Sequence, residues 1–151
     1  MSVSLDFIAL YVTNLKEAEE YYRSLFGMDV ITREAPMEDG VWYALPPDKG
    51  WADLDKAGIE LGMLGLRKDD LVLALFAGEP KPGQIFTIGL SMTADEMDKL
   101  HSRLPKKQVA TYKEGKMLHF DDKFRLHWQI YLAPHHFQSA GITRGNWMNL
   151  P

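Results

Sequence analysis

The chain has 151 residues, with 21 Asp and Glu against 17 Lys and Arg, and no cysteine. This length fits one compact domain or two half-size modules with a shared core, and the lack of cysteine excludes disulfides, thiolate nucleophiles and Cys-ligated metals. The charge is mildly acidic without a basic cluster, so we expect no nucleic-acid partner, and no apolar run approaches the ~20 residues of a membrane span. The N-terminal segment lacks the basic residues of a signal peptide, and we expect a cytoplasmic protein.

The first predicted elements are a strand at residues 7–12 and the helix that follows it. Side chains alternate along "FIALYV", so Phe7 and Tyr11 share one face of the strand. Asn14 is a suitable N-cap, and Gly27 suits the position just after the last helical turn. The apolar residues at helical spacing are Leu15, Ala18, Tyr22 and Leu25.

A second copy of this pattern occupies residues 87–105. Alternation in its strand gives one face with Ile88, Leu90 and Met92, and another with Thr87, Gly89 and Ser91. Thr93 and Glu96 form a Thr-x-x-Glu capping box for a helix that ends before Pro105. The side of this helix that we expect to be buried carries Met97, Leu100 and Leu104. Strand and capped helix thus occur twice.

The repeat continues downstream at a constant offset that pairs Asp55 with Asp122. We therefore predict two hairpins, at 51–64 and 118–132, with turns near "DKAG" and "DDKF". Their second strands would face the helices with Ile59, Leu61, Met63, Leu126, Trp128 and Ile130. The opposite face would carry Glu60, Gly62, Leu64, His127, Gln129 and Tyr131. Each module then has the order β-α-β-β-β, and "VWYAL" (41–45) extends the second strand or forms an extra one.

These patterns organise the chain as one domain with two modules. The predicted ranges are a first module at about 4–64, a linker at 65–83, a second module at about 84–132 and a tail at 133–151. The apolar run "LVLALF" inside the linker is a short helix or an added strand, because periodicity over so few residues fits both.

The stretch "FIALYVTNLKEAEEYYRSLFGM", followed by "WADLDKAGIELGML", resembles the vicinal oxygen chelate superfamily of glyoxalases, extradiol dioxygenases and bleomycin or fosfomycin resistance proteins. The resemblance covers residues 4–132. It implies an α+β fold in which two paired βαβββ modules form one cup-shaped mixed sheet with helices outside. It also implies a homodimer, and we expect "LVLALF" and the tail "ITRGNWMNLP" to supply the contact surfaces.

In the metal-using members that the chain resembles, the ion lies in the cup on the first and last strands of each module. Carried over, these positions fall on Phe7, Gly62, Thr87 and Gln129, or on Ala74 in place of Gly62 if "LVLALF" is the fourth strand. A divalent ion needs lone pairs from nitrogen or oxygen, and among these side chains only that of Gln129 is a suitable donor. The resemblance therefore leads us to expect no metal at these positions and no cofactor.

Two further residues leave an alternative open. Glu60 and His127 lie two positions before Gly62 and Gln129, so they should share the cup face. With Gln129 they would suit Zn²⁺ or Mn²⁺ at a displaced site, either one would suit a general base, or the two form a hydrogen-bonded pair near the rim. The facing of His119 is open. We expect solvent exposure for the histidines of the predicted loop and helix, which are His135, His136 and His101.

Aromatic side chains at the cup positions either line a site for a small molecule or simply fill the cup. The predicted ligand-binding residues are Phe7, Tyr11, Thr87, Gln129 and Tyr131. We predict a metal-free protein of the bleomycin-resistance kind that holds an apolar or aromatic molecule in the cup. The alternative is a lyase or isomerase that uses a displaced metal or a general base, with Glu60 and His127 as the catalytic candidates.

Overall fold

The computed structural model describes residues 3–81, 85–121 and 127–151. The chain divides into two compact units, and each of them consists of two separate segments. The first unit comprises residues 1–10 and 83–137, and the second unit comprises residues 11–82 and 138–151. None of the helices in the described ranges is long and apolar enough to cross a membrane.

The described elements are those of an α+β protein, as predicted. In chain order they are β1 (Ser4–Val12), α1 (Leu15–Phe26), β2 (Asp29–Pro36), β3 (Trp42–Ala44), α2 (Trp51–Ala57), β4 (Met63–Lys68), β5 (Leu71–Ala77), β6 (Thr87–Met92), α3 (Ala94–Arg103), β7 (Val109–Lys113), β8 (Met117–Asp121), β9 (His127–Leu132) and α4 (Ala140–Arg144). The predicted β-α-β-β-β order of the second module is confirmed by β6, α3, β7, β8 and β9. The turn predicted at "DDKF" lies outside the described residues.

The first unit is a mixed sheet with α3 packed on one side. Its strand order is β1-β6-β9-β8-β7, with β6 and β9 parallel and the other neighbours antiparallel. Thr93 caps α3 by accepting the Glu96 N–H at 3.2 Å, as the capping box predicts. The core beneath α3 consists of Met92, Met97, Leu118, Phe120 and Ile130. Because strand side chains alternate, the residues between these on each strand lie on the opposite side of the sheet.

The second unit contains the antiparallel strands β3-β2-β4-β5, with α1 packed on β4 and β5. Helix α1 has the predicted bounds, since Asn14 accepts the Glu17 N–H at 3.0 Å and Gly27 takes the left-handed conformation with φ 67°. The apolar stripe is shorter than predicted, because Leu25 is 53% exposed.

A carboxylate is buried on α1 instead. Glu19 is 5% exposed and accepts two hydrogen bonds from the Arg33 guanidinium, at 2.7 and 2.9 Å. It also accepts the Trp51 indole N–H at 3.1 Å. Burial opposes ionisation of Glu19, but the hydrogen bonds from Arg33 and Trp51 and the charges of Arg33 and Arg23 outweigh it, so the pKa of Glu19 is lowered.

The hairpin predicted at 51–64 is wrong, because its first half is helix α2. Gly50 occupies the N-cap position and donates its N–H to Asp53 Oδ2 at 2.8 Å. Gly58 ends the helix in the left-handed conformation with φ 68°. Leu54 is the residue of α2 whose side chain is buried. Two glycines at helix-terminal positions thus determine the structure where the internal repeat suggested a turn.

Strand β4 consequently begins later than predicted, at Met63. Glu60 and Gly62 precede the strand on which they were expected, and Glu60 is exposed. The run "LVLALF" forms β5, so of the two predicted alternatives the added strand is correct, and "VWYAL" contains the separate short strand β3. The range predicted as a linker therefore holds most of β4 and all of β5.

The tail packs within its own unit. Ala44 of β3 donates its N–H to the Asn146 carbonyl at 2.7 Å and accepts the Met148 N–H at the same distance. At the start of α4, Ala140 donates its N–H to the buried Glu34 at 3.1 Å. Much of the segment expected to contact a second subunit is thus used inside this chain.

Candidate functional site

The face of the first unit's sheet that lies opposite α3 carries polar and aromatic side chains, and we call it the polar face. Strand register aligns Phe7 with Gly89, Gly89 with Gln129, and Gln129 with His119. Neighbouring rows add Thr87, His127 and Tyr131. The alternation of β6 and β9 predicted this face, and the position of the α3 core confirms it.

Phe7 lies in the middle of the polar face and is only 5% exposed. Its ring covers Gly89 so closely that a Cβ added to that glycine would lie 2.3 Å from Phe7 Cε1. The ring also contacts Phe137, with 5.1 Å between centroids, and Tyr131, with 6.5 Å between centroids. The absence of a side chain at Gly89 therefore leaves the space that one side of the Phe7 ring fills.

Histidine and tyrosine rings continue this packing across β8 and β9. His119 meets Tyr131 edge to face with centroids 5.7 Å apart, and it meets His127 in the same way at 6.1 Å. The Tyr131 hydroxyl donates to Gln129 Oε1 at 3.2 Å. Phe86 stacks on His127 with 10° between the ring planes. The polar face is therefore a surface of rings with an amide between them.

His119 is partly buried, and one of its ring nitrogens is enclosed. Its Nε2 atom is inaccessible to solvent and has no hydrogen-bond partner within the described part of the chain. Burial lowers the pKa of His119, and the charges of His127 and Lys113 lower it further. The neutral imidazole is therefore the favoured form of this side chain in the folded protein.

Two carboxylate–histidine pairs flank these rings. In one, Asp121 Oδ1 lies 2.7 Å from His127 Nδ1, and the Asp121 side chain is 61% exposed. In the other, Asp6 pairs with His135 Nδ1, and the Asp6 side chain is only 3% exposed. The His135 ring stacks on Tyr131 with centroids 4.5 Å apart. The expectation that His135 is simply a solvated loop residue is therefore wrong.

At the positions that the resemblance equates with metal ligands, few side chains offer a donor atom to a divalent ion. Phe7 presents ring carbon atoms, and the Thr87 hydroxyl donates to the His127 carbonyl at 3.1 Å. Gln129 has the one side chain among these with a suitable oxygen, and that oxygen accepts the Tyr131 hydroxyl. The remaining position falls on Ala74 if β5 is taken as the equivalent strand, and alanine has no donor atom. Across the described ranges, no group of three or more His, Asp or Glu side chains is arranged to hold a metal.

The predicted site residues divide between the two units. Those that the structure brings together on the polar face are Phe7, Thr87, His127, Gln129 and Tyr131. Tyr11 and Glu60 belong to the second unit, where the Tyr11 ring covers Gly78. The site residues that the sequence did not indicate are Asp6, Phe86 and Phe137, while the facing of His119 stood open.

A family model decides what kind of protein this is. The model of the Glyoxalase/Bleomycin resistance protein/Dioxygenase superfamily matches residues 4–130. The chain belongs to this superfamily. The resemblance seen in the sequence and the glyoxalase-like fold that it implied are thereby confirmed. A comparison with curated protein sequences finds no match.

Three solved structures share the fold. The 2,3-dioxygenase LapB from Pseudomonas sp. KL28 is 13% identical with a TM-score of 0.54, and the match covers 89% of this chain but 43% of that one. The hypothetical protein BH1468 from Bacillus halodurans C-125 is 13% identical with a TM-score of 0.53, covering 92% of this chain and 100% of that one. A glyoxalase/bleomycin resistance protein/dioxygenase superfamily member from Vibrio splendidus 12B01 is 8% identical with a TM-score of 0.53, covering 87% and 98%. This chain thus spans less than half of LapB and nearly all of the other two.

Proposed function

We propose that this superfamily member binds a small apolar or aromatic molecule at the polar face of the first unit, without a metal ion at the usual positions. The observation that carries the proposal is Phe7, which is buried against Gly89 at a position that the resemblance equates with a metal ligand. A ring at that position takes the volume of an ion and presents carbon where lone pairs are required.

The rest of the polar face supports the same ligand chemistry. Tyr131 and His135 present stacked rings, and aromatic surfaces of this kind suit a planar apolar molecule. Gln129 and His127 supply an amide and an imidazole close to those rings, which would orient a polar substituent. The proposal therefore assigns walls to Phe7 and Tyr131 and polar anchors to Gln129 and His127.

Binding is tested with a panel of small phenols, naphthols, indoles and aliphatic carboxylates, measured by calorimetry. We expect aromatic members to bind and Phe7→Ala to weaken them by about 1–3 kcal/mol, the value of one buried side chain. Phe26→Ala is the matched control, because that phenylalanine is 47% exposed on α1 and should leave affinity unchanged. Equal affinities for the wild type and Phe7→Ala would contradict the assigned wall, and binding of aliphatic members alone would contradict the ligand class.

The proposal that the site holds no metal ion is tested by metal analysis of protein purified without chelator. Zinc, manganese, nickel or iron at one equivalent per chain, lost together with an activity on His127→Ala or Glu60→Ala, would overturn the proposal. That outcome would favour the alternative enzyme with a displaced metal.

We also propose that the protein is a homodimer. Strand β5 pairs with β4, and much of the tail hydrogen-bonds to β3, so less of the predicted contact surface is left for a second subunit. Ile142 on α4 is 66% exposed and is the apolar tail residue that remains for a subunit contact. Light scattering at micromolar concentration should give twice the chain mass, and Ile142→Glu should lower it. A monomer mass for the wild type would refute the dimer.

A further inference from the structure

Asp6 and His135 form a pair that the sequence did not reveal and that ligand binding alone does not need. We propose that His135 is a general base whose Nε2 atom removes a proton from a molecule held at the polar face, with Asp6 as its positioning residue. This adds a proton-transfer activity to the proposed binding, and it requires neither a metal nor a second cofactor.

A bulge in β1 places the carboxylate. The strand register changes between Leu5 and Phe7, so Asp6 is the extra residue and its side chain escapes the normal alternation. Its Oδ1 accepts the Phe137 N–H at 2.9 Å, and its Oδ2 faces His135 Nδ1. A carboxylate with 3% exposure is costly unless its oxygens have donors, and here each oxygen has one.

This arrangement prepares the imidazole to accept a proton. A carboxylate at Nδ1 keeps the hydrogen on that nitrogen, so the lone pair is on Nε2. The same carboxylate stabilises the imidazolium that forms when Nε2 takes a proton. Stacking on Tyr131, with 15° between ring planes, fixes the ring, and a side-chain exposure of 36% leaves part of it accessible.

The other carboxylate–histidine pair is less suited to this role. The Asp121 side chain is 61% exposed, so water screens its charge and competes for its oxygens. His136, next to His135 in the chain, is exposed and provides a matched control. A buried carboxylate partner therefore distinguishes His135 from His127 and from His136.

The chemistry implied is proton abstraction from carbon next to a carbonyl in a planar substrate. The C–H bond breaks, the proton moves to His135 Nε2, and the electron pair remains on the substrate as an enolate. Return of the proton to a different carbon gives an isomer, so atoms and electrons balance without an oxidant, reductant or co-reactant. The substrate class is thus an aromatic or conjugated carbonyl compound with an acidic C–H.

A model proton abstraction tests the base. The probe is 5-nitrobenzisoxazole, from which a base removes the ring C–H proton while the N–O bond breaks to give a nitrile and a coloured phenolate. We expect the wild type to accelerate this reaction, with a loss of about 10²-fold in His135→Gln, since general bases contribute roughly 10² to 10⁴. Asp6→Asn should lose at least tenfold, and His136→Gln should equal the wild type. A rate for His135→Gln equal to that of His136→Gln overturns the proposal.

The positioning by Asp6 is tested by nitrogen-15 resonances of the histidine rings, which need no substrate. We expect neutral His135 to carry its hydrogen on Nδ1 in the wild type and to show a mixture of tautomers in Asp6→Asn. A wild-type hydrogen on Nε2, or the same tautomer in both proteins, overturns the positioning. Circular dichroism checks that each variant is folded. If the calorimetric panel fails but the probe reaction and the tautomer follow expectation, the binding proposal fails while the base stands.

Discussion

The contact between Phe7 and Gly89 makes a quantitative prediction about stability. In Gly89→Ala, the new Cβ would lie 2.3 Å from Phe7 Cε1, 2.5 Å from Cδ1 and 2.6 Å from Cζ. The ring must then move, although it is 5% exposed and packed against Phe137. Overpacking of this kind costs about 1–3 kcal/mol of the free energy of unfolding.

The same substitution should behave differently once the ring is gone. Phe7→Ala by itself should cost about 3–5 kcal/mol, as Phe→Ala changes in a core do. In that background, the Cβ of Gly89→Ala enters vacated space, and alanine is favoured over glycine in a strand by about 0.5–1 kcal/mol. We therefore expect a coupling energy of about 2 kcal/mol or more between the two substitutions.

Urea unfolding of the wild type, both single variants and the double variant measures this coupling. Gly50→Ala is the control, because a Cβ there meets nothing within 4 Å and the backbone is extended at φ −139°, so its cost should stay below about 1 kcal/mol. If Gly89→Ala costs the same with and without Phe7, the ring does not lie over Gly89, and the proposed wall of the site is wrong.

Three other predictions concern buried polar groups and the tail. Arg33→Met should lower the free energy of unfolding in urea by about 3 kcal/mol, because it leaves the carboxylate of Glu19 buried without its main partner. The lowered pKa of His119 means that its contribution to stability is complete above its ordinary pKa of 6.5 and is lost as the pH falls through the folded value. His119→Phe should therefore raise stability at pH 5 relative to the wild type by about 1 kcal/mol, with little pH dependence from this position. Gly141→Ala places a Cβ 2.4 Å from the Trp147 ring and should cost about 1–3 kcal/mol in the same assay.

The prediction for Arg33 has a control on the surface. Lys99→Met breaks an ion pair whose Lys99 and Asp95 side chains are 63% and 76% exposed, and it should cost less than about 1 kcal/mol. An Arg33→Met protein as stable as Lys99→Met, or a His119→Phe protein that keeps the wild-type pH dependence, would refute the corresponding prediction.

The second module was predictable because its signals are local. The alternation of β6, the Thr93 cap and the stripe ending near Leu104 all agree with one another, and the structure has the same elements. In the first module the internal repeat suggested a turn at "DKAG", whereas Gly50 and Gly58 define a helix there. The ends of α2 are set by single residues, Gly50 and Gly58, and aligning the two repeated segments as wholes does not reveal them.

The facing of the candidate site residues was predictable to the extent that strand alternation determines it. Period-two alternation gives the facing of Phe7, Gln129 and Tyr131, and the structure places them together. The Asp6–His135 pair was not predictable for two reasons. Its members are 129 positions apart, and a bulge moves Asp6 out of the alternation from which its facing would be inferred.

Each of the two units consists of two segments that are far apart in the sequence, which has consequences for folding and for the effect of a break in the chain. Strand β1 pairs with β6 in the unit that ends at residue 137, while residues 138–151 complete the unit that begins at residue 11. Each unit is complete only when its second segment has been made, so its first segment must wait for that later part of the chain before it can fold fully. A cleavage in the segment between β5 and β6 would leave two fragments that each lack part of a sheet or its cover. Such fragments should recover structure only by associating with each other, which makes that segment a natural place for a split reporter.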